Sequence, residues 1–213
     1  MKFVLFHGAF GSPGSNWLPE LKDKLESLGQ EVVAPTFSVD TWDHITRLGQ
    51  NVRSAKQNLN NWITEFDKIY KTFRKGEKLC FIGHSLGPLF ILHLVERYNI
   101  KLDSAIFVCP FLEKLNKAWQ IDHVNESFYK SDFDFGTLIK LIPISYVIYA
   151  KDDPYVPVKS ARTFALNMKS HIIESETGMH FNSDAKCTSF PLVLELCKTR
   201  LQKGNTQNYF SVV

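Results

Sequence analysis

The sequence lacks the charge and the long apolar segments that mark nucleic-acid-binding and membrane proteins. Its 213 residues carry a formal net charge of only +3, and no cluster of lysine and arginine stands out. So small a charge argues against a nucleic acid or a membrane surface as a partner. The apolar segment Phe3 to Phe6 is too short for a signal-peptide core or a membrane span. We therefore expect a cytoplasmic protein.

The sequence also has little cysteine and no nucleotide-binding motif. Its four cysteines show no Cys-x-x-Cys spacing. Cys80 and Cys109 lie in or at the end of apolar runs, so we expect them to be reduced core residues. The glycine-rich stretch 7–15 contains neither Gly-x-Gly-x-x-Gly nor a Gly-Lys-Ser/Thr ending. We therefore do not expect it to cradle the phosphates of a nucleotide.

What the sequence does contain is a regular alternation of strand-like and helix-like segments. Most of the strand-like segments are unbroken apolar runs, without the polar alternation of a half-exposed sheet. Such runs are typical of a parallel sheet that helices cover on both faces. The sequence therefore predicts a three-layer α/β fold with a mostly parallel, twisted sheet of about six strands. The predicted strands are 2–6, 31–34, 79–82, 103–109, 144–150 and 171–174.

The length suits one domain with a sizeable core, and we interpret residues 1–203 as that domain. Apolar residues recur in steps of three and four over 51–74, which predicts one amphipathic helix packed on the sheet. Residues 111–142 form an aromatic-rich insertion between two strands, which we interpret as a small lid-like element. The alternative is that its aromatics only attach short helices to the body. The tail 204–213 has no periodicity and is a candidate for disorder.

One short motif carries most of the chemical information. Residues 83–87 read Gly-His-Ser-Leu-Gly, directly after the apolar strand 79–82 and directly before an apolar, helix-like run. Strand, sharp turn and helix are the context in which a Gly-x-Ser-x-Gly motif presents a nucleophilic serine, here Ser85. The residues two before and two after the serine lie against neighbouring backbone, so only glycine fits there. Because so short a pattern also occurs by chance, an acid and then a histidine must follow it.

An acid and a histidine do follow the motif in that order. Asp152 and Asp153 come just after strand 144–150, and His180 comes after strand 171–174. The carboxyl ends of parallel strands share one edge of the sheet, where open α/β sheets place their sites. Taken separately, Asp-Pro is ordinary turn chemistry, and a loop histidine needs no special role. Order and position together predict a Ser-Asp-His triad.

These three residue types are the ones that acyl transfer needs. A serine hydroxyl is a weak nucleophile at neutral pH, so His180 must accept its proton and later return it to the leaving group. A carboxylate fixes the tautomer of the imidazole and stabilises the imidazolium as it forms. The spacing alone leaves Asp152 and Asp153 as alternatives for that role.

Further residues are predicted to contact a bound substrate. The oxyanion of the reaction intermediate needs backbone N–H donors, and we predict the N–H of Leu86, directly after the serine, as one of them. The other should come from the first glycine-rich loop, where we favour Ala9 over Phe10. Phe10 and Trp119 are also predicted to line an apolar acyl or alcohol pocket.

These motifs resemble the α/β-hydrolase superfamily, and more narrowly the small serine hydrolases related to retinoblastoma-binding protein 9. The resemblance rests on the early His7-Gly8 loop and on segments 83–87, 152–157 and 178–182. In that group the acid directly precedes a proline, which implies Asp153. Met179 interrupts the Gly-His-Phe-Asn-like pattern of the group. The resemblance also implies a minimal lid, no metal, no cofactor and the hydrolysis of a small-molecule ester.

The sequence therefore predicts a serine hydrolase that cleaves a small carboxylic ester, or a thioester or amide, with Ser85, Asp153 and His180 as its triad. The alternative is a non-catalytic binding or scaffold protein of the same fold, because fold and motif do not guarantee turnover. The complete set of three residues argues against that alternative, since decayed sites usually lose a member.

Overall fold

The structure is a computed structural model that describes residues 1–202. Its strands are β1 (Lys2–Phe6), β2 (Glu31–Val33), β3 (Leu79–His84), β4 (Ser104–Val108), β5 (Ser145–Ala150) and β6 (His171–Ser175). They form one sheet in the order β2-β1-β3-β4-β5-β6, and every neighbouring pair is parallel. The predicted parallel α/β sheet is thus confirmed. The tail 204–213 lies outside the described residues.

Helices connect the strands and cover the sheet. They are α1 (Leu18–Ser27), α2 (Trp42–Leu48), α3 (Leu59–Tyr70), α4 (Leu86–Tyr98), α5 (Trp119–Asn125), α6 (Phe135–Leu141), α7 (Val158–Met168) and α8 (Pro191–Gln202). None of the helices in residues 1–202 has the length and apolar character needed to cross a bilayer.

The direction in which strands are added to the sheet changes between β1 and β3, which are neighbours. From β1 the chain continues to β2 on one side of the sheet, and from β3 it continues to β4, β5 and β6 on the other side. Such a switch opens a crevice at the carboxyl ends of the two central strands, where open α/β sheets bind their ligands. The loop after β1 and the turn after β3 therefore meet at this crevice.

The core lies around β3 and α4, at the centre of the sheet. Every residue of β1, β3 and β4 is buried, which explains why these strands lack polar alternation. Aromatic rings fill the space between the sheet and the helices on one face: Trp62 stacks on Phe37 at 4.7 Å between ring centroids, and Phe90 packs edge-on against both. Cys80 and Cys109 are buried and free, as predicted.

The helix predicted over 51–74 is shorter than expected. Residues 51–58 form turns and bends, and α3 begins only at Leu59. Two side chains impose this start. Asn58 caps the helix by accepting the N–H of Asn61 at 2.9 Å, and the buried Asp40 carboxylate accepts the N–H of Gln57 at 3.1 Å. The apolar residues before Asn58 follow helical spacing without forming a helix, because a distant carboxylate holds their backbone in a turn.

The insertion 111–142 contains α5, a single 3-10 turn at Glu126–Phe128 and α6. Three of its aromatic residues, Phe111, Phe128 and Phe133, are buried in the core. These three rings attach the short helices of the insertion to the body, and the lid-like role of the insertion stays a prediction.

The turn between β3 and α4 is as crowded as the motif predicts. A Cβ added at Gly83 would lie 2.6 Å from the backbone nitrogen of Pro88, and one at Gly87 would lie 2.7 Å from the carbonyl oxygen of Phe6. Both distances are well below van der Waals contact, and both neighbours are backbone atoms that cannot rotate away. The two glycines are therefore required by the close packing of α4 on the sheet.

We expect Gly83→Ala to lower the free energy of unfolding by about 1–3 kcal/mol, because the added methyl group forces β3 and α4 apart. Gly14→Ala is the matched control, since the nearest atom to a Cβ there is Ser12 Oγ at 3.6 Å. Urea unfolding followed by circular dichroism measures both changes. Equal midpoints for the two variants would contradict this account of the turn.

Candidate active site

Ser85 lies at the tip of the turn between β3 and α4. Its φ of 59° and ψ of −105° are a strained conformation for a residue with a side chain. The turn is held by a hydrogen bond from the Ser85 N–H to the carbonyl of Val108 at 2.8 Å. The loop after β1 lies directly against it, because a Cβ at Gly8 would be 2.8 Å from the Cβ of Ser85. The Ser85 side chain lines the crevice at this edge of the sheet.

Asp153 and His180 meet at the same edge, just beyond β5 and β6. The Nδ1 of His180 donates a hydrogen bond to Oδ2 of Asp153 at 2.8 Å. The other carboxylate oxygen accepts the N–H groups of Tyr155 at 2.8 Å and Val156 at 3.0 Å. With the proton on Nδ1, the lone pair of the imidazole is on Nε2, which is the tautomer that a general base needs.

The Asp153 side chain is only 1% exposed, yet it is held in the charged form. Burial alone would raise its pKa, but the hydrogen bond and charge of His180 and the two backbone N–H donors outweigh burial and lower the pKa of Asp153. A carboxylate that stays ionised beside the imidazole can stabilise an imidazolium.

Asp152 has a different place. Its two oxygens accept the backbone N–H groups of Met179 at 2.7 Å and Gly178 at 3.3 Å, in the loop that carries His180. Met179, which interrupts the family-like pattern, adopts a left-handed backbone with φ of 48°. The structure therefore brings Asp153 to the imidazole, whereas Asp152 anchors the backbone beside it.

Ser85 and His180 line the same two cavities. No hydrogen bond joins the Ser85 hydroxyl to the imidazole within residues 1–202. Catalytic hydrogen bonds of this kind are often long in the absence of substrate and tighten only when substrate binds. The pair thus shares a cavity, with the Nδ1 edge of the ring fixed by Asp153.

Backbone N–H groups near Ser85 differ in whether the described part of the protein supplies a hydrogen-bond acceptor for them. The N–H of Phe10 donates to Oε1 of Gln57 at 3.0 Å. Within residues 1–202, the N–H groups of Ala9 and Leu86 have no protein acceptor, and that of Leu86 is the first of α4, where helical partners are missing. Of the two N–H groups of this loop that are predicted as oxyanion donors, that of Phe10 is therefore already used, and the role of Ala9 stays a prediction.

Gln57 is a site residue that sequence reasoning missed. Its side chain is fully buried, and besides accepting from Phe10 it donates from Nε2 to Oδ1 of Asn125 at 3.0 Å, at the end of α5. It therefore connects the glycine-rich loop to the insertion. A single glutamine in a stretch without a motif gives no signal for such a contact.

His84, within the serine motif, is a second residue that sequence reasoning left without a role. Its Nε2 donates to the backbone carbonyl of His180 at 2.8 Å, and its Nδ1 lies 3.5 Å from the side-chain amide of Asn16. Asn16 in turn accepts the N–H of Ser183 at 2.9 Å. Burial, together with the nearby His180, lowers the pKa of His84 to about 3. His84 is therefore a neutral group that tethers the loop of His180.

The crevice has two parts. One cavity of about 210 Å³ is lined by Ala9, Phe10, Trp42, Ser85, Leu115, Ile121, Tyr155, His180, Asn182 and Asp184. The other, of about 370 Å³, is lined by Gly8, Ala9, Phe10, Gly11, Gly14, Ser15, Asn16, His84, Ser85, His180, Asn182 and Ser183. Phe10 lines both parts, and its role as a substrate contact stays a prediction. Trp119 lines neither, and its ring packs on His123 instead; the insertion contributes Leu115 and Ile121.

One group of potential metal ligands lies at the site. Ligand atoms of His84, Cys109 and His180 are within 4.8 Å of one another, and within residues 1–202 no other such group is found. Hydrogen bonds to the carbonyl of His180 and to Asp153 already use Nε2 of His84 and Nδ1 of His180. The ring nitrogens that these contacts leave available are Nδ1 of His84 and Nε2 of His180, so a metal ion bound there would occupy the lone pair with which His180 could accept a proton.

A parallel sheet with a strained serine after its third strand and a buried Asp-His pair at the same edge has the architecture of the α/β hydrolases. A family model described as serine hydrolase matches residues 4–199. The chain therefore belongs to the serine hydrolase family and is a hydrolase of the α/β fold.

Individual relatives agree with this assignment. YdeN of Bacillus subtilis (strain 168), named as a hydrolase, is 25% identical over 201 residues, covering 93% of this chain and 95% of that protein. The crystal structure of the ydeN gene product has a TM-score of 0.77 at 23% identity, covering 94% and 98% of the two chains. Salicylic acid-binding protein 2 of Nicotiana tabacum is 27% identical over 128 residues, covering 58% and 45%. The narrower resemblance to retinoblastoma-binding protein 9 stays a prediction.

His84 makes the stability of the fold depend on pH. Its folded-state pKa of about 3 lies below the ordinary 6.5, so between these values the unfolded chain binds the additional proton. The free energy of unfolding is therefore highest above pH 6.5 and decreases as the pH falls toward 3, by at most about 1.4 kcal/mol per pH unit for this group. We expect His84→Gln to lose less stability than wild type in urea titrations on going from about pH 7 to about pH 5.

The exposed His171 provides the control for this comparison. The pH profile of His171→Gln measures the effect of replacing a histidine that lies at the surface, against which the effect of replacing the buried His84 is compared. Parallel pH profiles for His84→Gln and wild type would contradict a neutral, buried His84.

Proposed function

We propose that this hydrolase cleaves a small carboxylic ester through an acyl-enzyme on Ser85. His180 acts as general base and then general acid, and Asp153 orients it. The observation that carries this proposal is the 2.8 Å hydrogen bond between His180 Nδ1 and Asp153 Oδ2, beside a serine in a strained turn. A buried carboxylate bonded to Nδ1 of a histidine that lines the cavity of a serine is the geometry of nucleophile activation.

The reaction follows from these positions. Nε2 of His180 takes the hydroxyl proton as Ser85 Oγ attacks the carbonyl carbon, and the oxyanion accepts hydrogen bonds from the N–H groups of Ala9 and Leu86. When the tetrahedral intermediate collapses, the bond to the leaving alkoxide breaks and His180 returns the proton to it. A water molecule then attacks the acyl-enzyme with the same histidine as base, releasing the acid and regenerating Ser85.

The substrate side of the proposal rests on the cavity. Of the residues within 1–202 that line the cavity of about 210 Å³, Asp184 is the only acidic one and none is a lysine or an arginine, and the apolar side chain of Phe10 lines it together with Ser85 and His180. An ester is favoured over an amide because its leaving alkoxide is the better leaving group. We further propose a small molecule as the partner, and we retain the cytoplasm as the predicted location.

We expect Asp153→Asn to reduce kcat for p-nitrophenyl acetate by about 10⁴-fold, because an amide favours the wrong imidazole tautomer. Ser85→Ala should abolish acyl-enzyme formation. Asp152→Asn is the matched control, since it keeps an oxygen for the N–H of Met179 and does not contact the imidazole. It should retain most of the wild-type kcat.

Steady-state kinetics of the wild type and the three variants, with circular dichroism as a check of folding, decide the matter. Equal losses in Asp152→Asn and Asp153→Asn would contradict the assigned acid. A folded wild type with no turnover above Ser85→Ala would favour the non-catalytic alternative.

A further inference from the structure

We infer that the natural ester, given the proposed function, is neutral and two-sided, with a compact apolar group on one side of the scissile bond and an uncharged hydroxylated group on the other. The inference comes from the two cavities that meet at Ser85. Both are also lined by Ala9, Phe10, His180 and Asn182. A substrate with its carbonyl carbon at the serine therefore extends one part into each cavity.

Large apolar side chains make up much of the lining of the smaller cavity. Phe10, Trp42, Leu115 and Ile121 come from three separate segments of the chain and converge there. Trp42 is 40% exposed, and its ring stands edge-on to that of Phe10 at 5.5 Å. Exposed aromatic surface in a concave site is surface that a ligand can cover.

The size of this cavity limits what it holds. Its volume of about 210 Å³ is below the roughly 300–1,000 Å³ typical of pockets for drug-sized ligands. A single aromatic ring or a short branched chain suits such a space, whereas a long fatty-acyl chain does not. The Asp184 carboxylate, which also lines this cavity, accepts hydrogen bonds from the Tyr155 hydroxyl and the Asn182 amide, both at 3.1 Å, and it repels a ligand group that carries a carboxylate.

The larger cavity has the opposite character. Apart from the shared residues, its lining consists of glycine, serine, asparagine and histidine. Backbone groups, hydroxyls and amides form hydrogen bonds with a hydroxylated ligand, whereas an apolar ligand would bury these polar groups without hydrogen-bond partners. No lysine, arginine, aspartate or glutamate of residues 1–202 lines it. An uncharged polar group therefore suits it better than a phosphate or a carboxylate.

The test is a matrix of four esters of similar size, assayed by the acid that hydrolysis releases. Two of them are mixed, with one apolar and one hydroxylated side: the phenylacetate monoester of glycerol and the benzyl ester of glyceric acid. The other two are matched, with the same character on both sides: benzyl phenylacetate is apolar on both, and the glycerol ester of glyceric acid is hydroxylated on both. We expect kcat/KM for at least one mixed ester to exceed both matched esters by about tenfold or more, which is the scale of a pocket's discrimination. Which mixed ester is preferred identifies the cavity that holds the acyl group.

Two variants link the preference to the cavities. Trp42→Ala should lower the ratio of kcat/KM for the preferred mixed ester to kcat/KM for the glycerol ester of glyceric acid, because it removes part of the apolar lining. Gly14→Leu should lower the ratio of kcat/KM for the preferred mixed ester to kcat/KM for benzyl phenylacetate, because the leucine side chain fills part of the polar cavity. Leu166→Ala, at a residue that is 72% exposed on α7, is the control and should leave both ratios unchanged.

The outcomes separate this inference from the function on which it rests. If p-nitrophenyl acetate is hydrolysed but benzyl phenylacetate is the best of the four esters, or all four are equal, the two-sided substrate is overturned while the esterase proposal stands. If even p-nitrophenyl acetate is not hydrolysed by folded protein, the proposed function fails and the inference fails with it.

Discussion

The site depends on one hydrogen bond, that between Asp153 and His180. The two residues are far apart in the sequence, and they meet because β5 and β6 are parallel neighbours whose last residues, Ala150 and Ser175, are in register. The loops are then joined directly, by the N–H of Lys151 to the carbonyl of Ser175 at 2.9 Å and by Asp152 to the backbone beside His180. The imidazole is therefore oriented by the sheet itself, through contacts that do not involve Ser85.

The serine is positioned by a second and independent constraint, which is lack of space. Glycines at 8, 83 and 87 bring the first loop, β3 and α4 to distances at which no Cβ fits. This packing holds Ser85 in a conformation that an isolated chain would avoid, and the buried α4 stabilises it. His84 joins the two constraints, since it precedes the serine in the chain and hydrogen-bonds the backbone of His180. A neutral histidine at that position holds the loop without adding a buried charge.

The sequence predicted those features that depend on local pattern and on the geometry of parallel strands. Apolar runs identified all six strands, and the ends of three of them carried Ser85, Asp153 and His180 to one edge. The features that sequence reasoning missed depend on contacts between distant loops. The start of α3 is imposed by Asp40, and the N–H of Phe10 is occupied by Gln57, through single polar contacts that no periodicity marks. Trp119 is a large aromatic residue in an insertion near the site, which is why the sequence predicts it as a pocket residue. In the structure its ring packs on His123 of the same helix, and the residues of the insertion that line the smaller cavity are Leu115 and Ile121.

The central claim is that Ser85 is a nucleophile activated by His180, and a covalent trap tests it most directly. A fluorophosphonate reacts with an activated serine hydroxyl and leaves a stable phosphonyl ester, whose site peptide mapping by mass spectrometry can identify. The account predicts one adduct per chain, on Ser85, with a rate that falls sharply in His180→Ala. An unlabelled wild type, an adduct elsewhere, or a labelling rate unaffected by His180→Ala would contradict it.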